Sequence, residues 1–335
     1  MGLMAGTGDV VTSVGDRVLT LTNLDKVLYP AAGYTKAEVI NYYLGIASVI
    51  LPHISDRALT RLRFPDGVPA DAPTGAGGGS TPPAQGAFWE KNAPAGTPDW
   101  VRRQLVGTSD GVIDYVVADE PATMVWLANL AALELHAPQW TIGSGRPNED
   151  GVLDLPDDDP RPGDPLADRV VVDLDPGAGM TIVETARAAL LVAGAMAGDG
   201  LLPVPQSSGS KGMQVYAAIA PSPCRDAWAY VRRLNAQLAK STPALFVAAM
   251  SVQRRAGRIY VDYNQDLAGR NTIVPYSMRG RALPSVATPL TWDEVGAVRD
   301  PDDLRFTPEQ VLDRVAEHGD LAADLLLTDR PALPH

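Results

Sequence analysis

Apolar and polar residues alternate along RVLTLT (residues 17–22), the period-two pattern of a strand with one buried face. The period changes at Thr35-Lys36-Ala37-Glu38, where Thr and Glu are spaced as a capping box. The apolar positions Val39, Ile40, Tyr43, Leu44 and Ala47 behind it predict a helix to about Leu51, ended by Pro52. A second helical pattern runs from Ala122 to Leu135 and leads into His136. Val170-Val171-Val172 predicts a buried strand that carries Asp173-Leu174-Asp175 and is closed by Pro176-Gly177; Thr181 and Glu184 then open a helix to about Ala197. Strands at residues 213–219 and 258–263 flank a helix from about Arg225 to Leu238. Thr291-x-x-Glu294 and Thr307-Pro308-Glu309-Gln310 each start a further helix, the latter with proline at its first position. This mixed order predicts an α/β or α+β fold with mixed or antiparallel sheets.

Composition adds loops to that outline. Residues 66–86 are dominated by Gly, Pro, Ala and Ser, and residues 146–167 hold the acidic run NEDGVLDLPDDDPRPGD, so both are expected to be loop insertions within a single domain spanning 1–335. The formal charge of −12 is the wrong sign for a uniformly basic nucleic-acid face, and any such contact needs a local basic groove. Neither a run of roughly 18 apolar residues nor the charged and apolar regions of a secretory signal is present, so the expected location is cytoplasmic. The single cysteine, Cys224, excludes an internal disulfide and a C-x-x-C metal site.

Three segments carry candidate chemistry. Asp173 and Asp175 are one residue apart on a predicted strand and therefore share a face, as hard oxygen ligands for Mg²⁺ or Mn²⁺ would; a solvated turn is the plainer reading of D-x-D. Asp262 sits in the strand-like Tyr260-Val261-Asp262-Tyr263, where a carboxylate needs a partner: a metal, or Arg255 or Arg258. Ser207-Ser208-Gly209-Ser210-Lys211-Gly212 offers hydroxyls, backbone N–H groups and one ammonium, the set that cradles a polyphosphate, although it is not a Walker A loop and also suits a plain turn. His136, at a helix end, reads as a cap or core residue. Phe88-Trp89, with Lys91 behind, reads either as a core pair or as a platform for bases.

Taken in order, TNLDKVLYP, AFWEK, ALELHAPQW, VVVDLDPG, SSGSKGMQVY, VDYNQ and PYSMRGR resemble the polymerase domain of bacterial end-joining DNA ligase D, of the archaeo-eukaryotic primase superfamily, from about Val18 to about Asp320. The resemblance implies a primase-polymerase fold and template-directed addition of nucleoside triphosphates to a 3′ hydroxyl, with ribonucleotides and manganese often preferred. It implies that Asp173, Asp175 and Asp262 hold two metal ions, Mn²⁺ or Mg²⁺. Ser208, Lys211 and His136, with Arg279 and Arg255, match triphosphate contacts; Phe88 and Trp89 match a base-stacking pair; Gln265 matches a residue near the sugar. Lys26 and Lys36 match a pocket for a 5′ phosphate on the downstream DNA strand.

Gln214 departs from the pattern S-G-x-K-G-x-H by replacing the histidine with a neutral amide. The length leaves no room for ligase and nuclease modules, so the expectation is a stand-alone, monomeric enzyme that acts on DNA and nucleotides beside a separate DNA ligase or a Ku-like end-binding protein. Two other readings compete: a non-catalytic module that binds DNA ends, and a D-x-D glycosyltransferase, which would not need Asp262 or the serine-lysine loop.

Overall fold

The computed structural model describes residues 8–72, 86–155, 160–248 and 255–334. The valine-rich run expected to be a strand is the centre of a six-stranded sheet. Its order is Phe246–Val247, Ile259–Val261, Leu166–Pro176, Met213–Pro223, Val204–Ser207 and Thr288–Pro289, antiparallel except for the first pair. Period two divides its central strand. Val170, Val172 and Leu174 pack with helices α3 (Ile182–Gly198) and α4 (Cys224–Ser241), whereas Val171 belongs with Tyr216 to the other apolar cluster. Asp173 and Asp175 continue the Val171 side, so the sheet turns its carboxylates away from the helices that cover its back.

That side faces a second, antiparallel sheet of Thr272–Ile273, Ala132–Ala137, Thr60–Arg63 and Phe88–Glu90. Its other side is backed by α1 (Lys36–Ile54) and α2 (Pro121–Asn129). Tyr216 joins the sheets, its hydroxyl 3.1 Å from both Thr272 Oγ1 and the Ile273 carbonyl oxygen. The result is two helix-backed sheets facing one another, as the mixed element order implied. The two expected capping boxes form, at Thr35/Glu38 and Thr181/Glu184, and the two further helix starts are also capping boxes, at Thr291/Glu294 and Thr307/Gln310, opening α5 (Trp292–Ala297) and α6 (Pro308–His318). By length and composition α1 is apolar enough to cross a bilayer; in this fold its apolar residues lie in the core.

Three expectations need correction. Helix α1 does not stop at Pro52 but includes it and ends at Ile54. A proline near a helix end forgoes only one N–H, and the buried His53 beyond it is anchored to Asp320 at 2.9 Å. The second helix ends at Asn129, and His136 lies in a strand. Ala131 takes a left-handed φ of 56°, which reverses the chain, and ALELHA then becomes an interior strand of the second sheet despite its helix-favouring composition. Part of the 146–167 stretch is ordered sheet: Val152–Asp154 pairs in parallel with Arg103–Thr108, and Leu166 already belongs to the central strand. Most of the 66–86 insertion, residues 73–85, lies outside the described residues, as do 156–159 of the acidic run.

Candidate active site

Asp173 and Asp175 share the inner face of the central strand. The third carboxylate arrives through the backbone: Asp262 N–H donates to the Asp173 carbonyl oxygen at 2.9 Å, just past the strand Ile259–Val261. Asp262 is not itself in a strand; it caps a short 3₁₀ turn, accepting from Asn264 N–H at 3.2 Å. One carboxylate oxygen from each of the three lies within 4.8 Å of the others. Burial, then the neighbouring Asp175 and Asp262 charges, drive Asp173 well above the ordinary carboxylate range. Burial and Asp262 push Asp175 up to about 6, against the pull of Arg255 and Lys211. Three carboxylates gathered this closely place negative charges that a hard divalent cation relieves, so the donor set fits Mg²⁺ or Mn²⁺. Arg255 lies 3.7 Å from Asp175 and stacks on Tyr260, so its ion pair is with Asp175 rather than Asp262.

The turn after D-x-D requires glycine by close approach. A Cβ on Gly177 would sit 1.8 Å from the Arg255 carbonyl oxygen, because the turn packs directly on the 255–258 backbone. Gln214, the direct cross-strand partner of Asp173, donates from Nε2 to its carboxylate at 2.8 Å. Gln265 likewise donates to Asp262 at 3.0 Å, so its amide is committed to a carboxylate of the triad.

The serine-lysine loop joins the strands Val204–Ser207 and Met213–Pro223, at the level of Leu174 in the central strand. Ser208 is buried with its hydroxyl unpaired, and Lys211 stands near enough to Asp175 to lower its pKa. Gly209 has φ +69°, and Arg279 Cγ lies 2.8 Å from where its Cβ would be, which brings Arg279 against the loop. The Arg279 guanidinium then reaches the second sheet, with Nε 3.5 Å from Glu134 Oε1. Glu134 also accepts from His136 Nε2 at 3.0 Å and from Gly280 N–H at 2.9 Å. Burial would raise Glu134, but Arg279, His136 and Arg281 together hold it well below the usual range. One carboxylate thus faces two guanidiniums and an imidazole. Glu134 and Arg281 escaped the sequence reading; the motifs ALELHAPQW and PYSMRGR contain both, but only the fold sets them side by side.

Trp89 and Phe88 are both partly exposed, at 39% and 40%, so neither is a core residue. Being adjacent in a strand, they take opposite faces. Trp89 lies on the Glu134 side, its ring edge-on to His136 with centroids 4.8 Å apart, while Phe88 lies on the other side beneath the Arg63 guanidinium. Only Trp89 therefore faces the triad side. Lys26 and Lys36 do come together beside Arg63, away from the carboxylates. Lys36 is buried, donates to the Thr22 carbonyl at 2.7 Å, and is pushed down to about 8 by burial, Lys26 and Arg63. Lys26 is 40% exposed and 3.7 Å from Asp66.

Carboxylates on one sheet, facing cationic and aromatic side chains on another, form the site of a nucleotidyl-transfer enzyme. The family model for the LigD primase-polymerase domain matches residues 35–322. The multifunctional non-homologous end joining protein LigD of Mycolicibacterium smegmatis is 40% identical over 306 residues, and that of Bacillus subtilis, described as bifunctional, 30% identical over 307. These matches cover 91% and 90% of this chain but only 36% and 43% of the relatives' lengths. The polymerase domain from Mycobacterium tuberculosis Ligase D, solved in complex with DNA, superposes with a TM-score of 0.78 at 37% identity, covering 93% of this chain and 99% of that one. The chain belongs to the LigD primase-polymerase domain family and is a DNA-directed nucleotidyltransferase. That assignment displaces the glycosyltransferase reading.

Proposed function

We propose that the protein is a template-directed polymerase that adds nucleotides, ribonucleotides by preference, to primer or gap 3′ ends during the joining of DNA breaks. The observation that carries this reading is the meeting of Asp173, Asp175 and Asp262 within 4.8 Å, on the sheet face turned toward the second sheet. Asp173, Asp175 and Asp262 would hold two Mn²⁺ or Mg²⁺ ions, which supply charge stabilisation for the attacking and leaving oxygens of phosphoryl transfer. Gln214 and Gln265 orient two of those carboxylates. Ser208, Lys211, Arg279 and His136 hold the triphosphate, and Trp89 offers the ring against which the incoming base packs.

The Lys26–Lys36 pocket fits a 5′ phosphate on the downstream strand, a local basic site on an acidic chain. The acting location is the cytoplasm, where bacterial DNA lies, with a DNA ligase activity completing the join. Primer extension on a gapped template with Mn²⁺, comparing ribo- with deoxyribonucleotides, tests the reading. Products that depend on the template and vanish in the Asp173→Ala/Asp175→Ala double variant support it. DNA binding without extension by the unaltered protein would instead favour a non-catalytic module that binds DNA ends.

A further inference from the structure

Glu134 lies within the motif ALELHAPQW, but neither the sequence reading nor the proposed chemistry gives it a role. It is buried at 3% exposure in the middle of the second sheet, and its two oxygens serve different partners: Oε2 meets His136 Nε2 at 3.0 Å, while Oε1 meets Gly280 N–H at 2.9 Å and Arg279 Nε at 3.5 Å. The strand register explains the first contact, since residues 134 and 136 lie two apart on one face and share that face with Trp89 across Leu62. The second contact comes from the far end of the chain and is made only in the fold.

An ionised carboxylate is an acceptor only, so His136 must donate from Nε2. The nitrogen left to face the pocket is Nδ1, which accepts on a neutral ring and donates only from the imidazolium. A phosphate oxygen needs a donor. Burial first, then the Arg279 and Arg281 charges, hold His136 below the ordinary imidazole range, and Trp89 meets the ring edge-on. Glu134 is thus the one group of this cluster that favours the protonated ring, and it also draws Arg279 toward the same spot.

We propose that Glu134 is a positioning residue for the nucleotide: it fixes the His136 tautomer and the placement of Arg279 so that both meet the phosphates of an incoming nucleoside triphosphate. This inference rests on the polymerase reading for its ligand, but not for its test. Direct binding of a fluorescent nucleoside triphosphate, followed by anisotropy from pH 5 to 8, measures affinity whether or not the protein extends primers. The nucleotide's own terminal phosphate titrates equally in every variant and cancels in the comparison.

At the acid end of that range Glu134→Gln is expected to weaken affinity about tenfold, the scale of one charge-assisted hydrogen bond. It is also expected to flatten the pH dependence. Where the unaltered protein loses affinity as the imidazolium deprotonates, a glutamine amide can donate to Nε2 and leave a proton on Nδ1 of the neutral ring. Glu134→Asp keeps the charge but shortens the reach, so it should weaken affinity while retaining the slope with pH; it also stands in if the glutamine variant fails to fold. An unchanged affinity and slope in a folded Glu134→Gln variant would overturn the inference, as would no nucleotide binding by the unaltered protein. Tight binding without primer extension would overturn the polymerase reading alone.

Discussion

Gln214 Nε2 lies 2.8 Å from an Asp173 carboxylate oxygen, across the strand pair in which the two residues are direct partners. Its amide is a donor that does not titrate. Gln214→Leu removes that donor, the one hydrogen bond to the Asp173 carboxylate among the described residues. The Mn²⁺ concentration for half-maximal extension should rise roughly tenfold or more, as for other residues that orient metal ligands. A metal titration that overlays that of the unaltered protein would refute this orienting role.

Asp175, with its pKa raised to about 6 by burial and Asp262, makes the metal-free fold sensitive to pH. A carboxyl whose folded pKa exceeds its unfolded value favours the fold at acid pH, and that contribution is lost as pH rises through the folded pKa. The loss here runs from about pH 4 to about pH 6 and amounts to on the order of 3 kcal/mol for this group. The melting temperature of metal-free protein should therefore fall between pH 4 and 6, and less so in Asp175→Asn. Adding Mn²⁺ at pH 7 should raise the melting temperature of the unaltered protein alone. Parallel pH profiles for the two proteins would count against the clustered carboxylates.

The pocket at Lys26 and Lys36 has the opposite sign. Lys36, lowered to about 8 by burial, Lys26 and Arg63, loses its charge as pH rises through that value. Affinity for gapped DNA with a 5′ phosphate should then drop between pH 7.5 and 9 more steeply than for the same DNA without it. Lys26→Glu should weaken the phosphorylated substrate preferentially and lower the salt dependence of its binding. Equal losses on both substrates in a titration would remove the pocket.

Trp89 and Phe88 separate two roles that their adjacency in sequence had merged. Because Trp89 faces His136 and Phe88 lies under Arg63 on the reverse side, Trp89→Ala should raise the nucleotide KM about tenfold or more, the scale of one stacked base. Phe88→Ala should leave that KM within about twofold. Comparable effects from both would mean that the strand Phe88–Glu90 rearranges when nucleotide binds.

Gly177→Ala tests how tightly the metal turn is built. The added methyl would fall 1.8 Å from the Arg255 carbonyl oxygen, so the turn or the 255–258 segment must move. Extension should drop by at least tenfold, with a stability loss of about 2 kcal/mol or more by denaturant unfolding.

Local pattern was enough wherever one element sufficed. Period two alone put Asp173 and Asp175 on one face, and residue spacing alone placed two capping boxes and two further helix starts, because both are set by backbone geometry within a few residues. The resemblance to the polymerase domain of ligase D supplied Asp262 as third ligand on motif order, whereas the residues by themselves left it between a metal and an arginine. Tertiary structure decided the rest. It carried Asp262 to Asp173 through a backbone hydrogen bond between residues nearly ninety apart, turned the helix-favouring ALELHA into an interior strand, and set Glu134 between His136 and Arg279. Sheet pairing chooses which distant segments meet, and burial overrides local propensity there, because the stabilising contacts come from other strands rather than from neighbours along the chain.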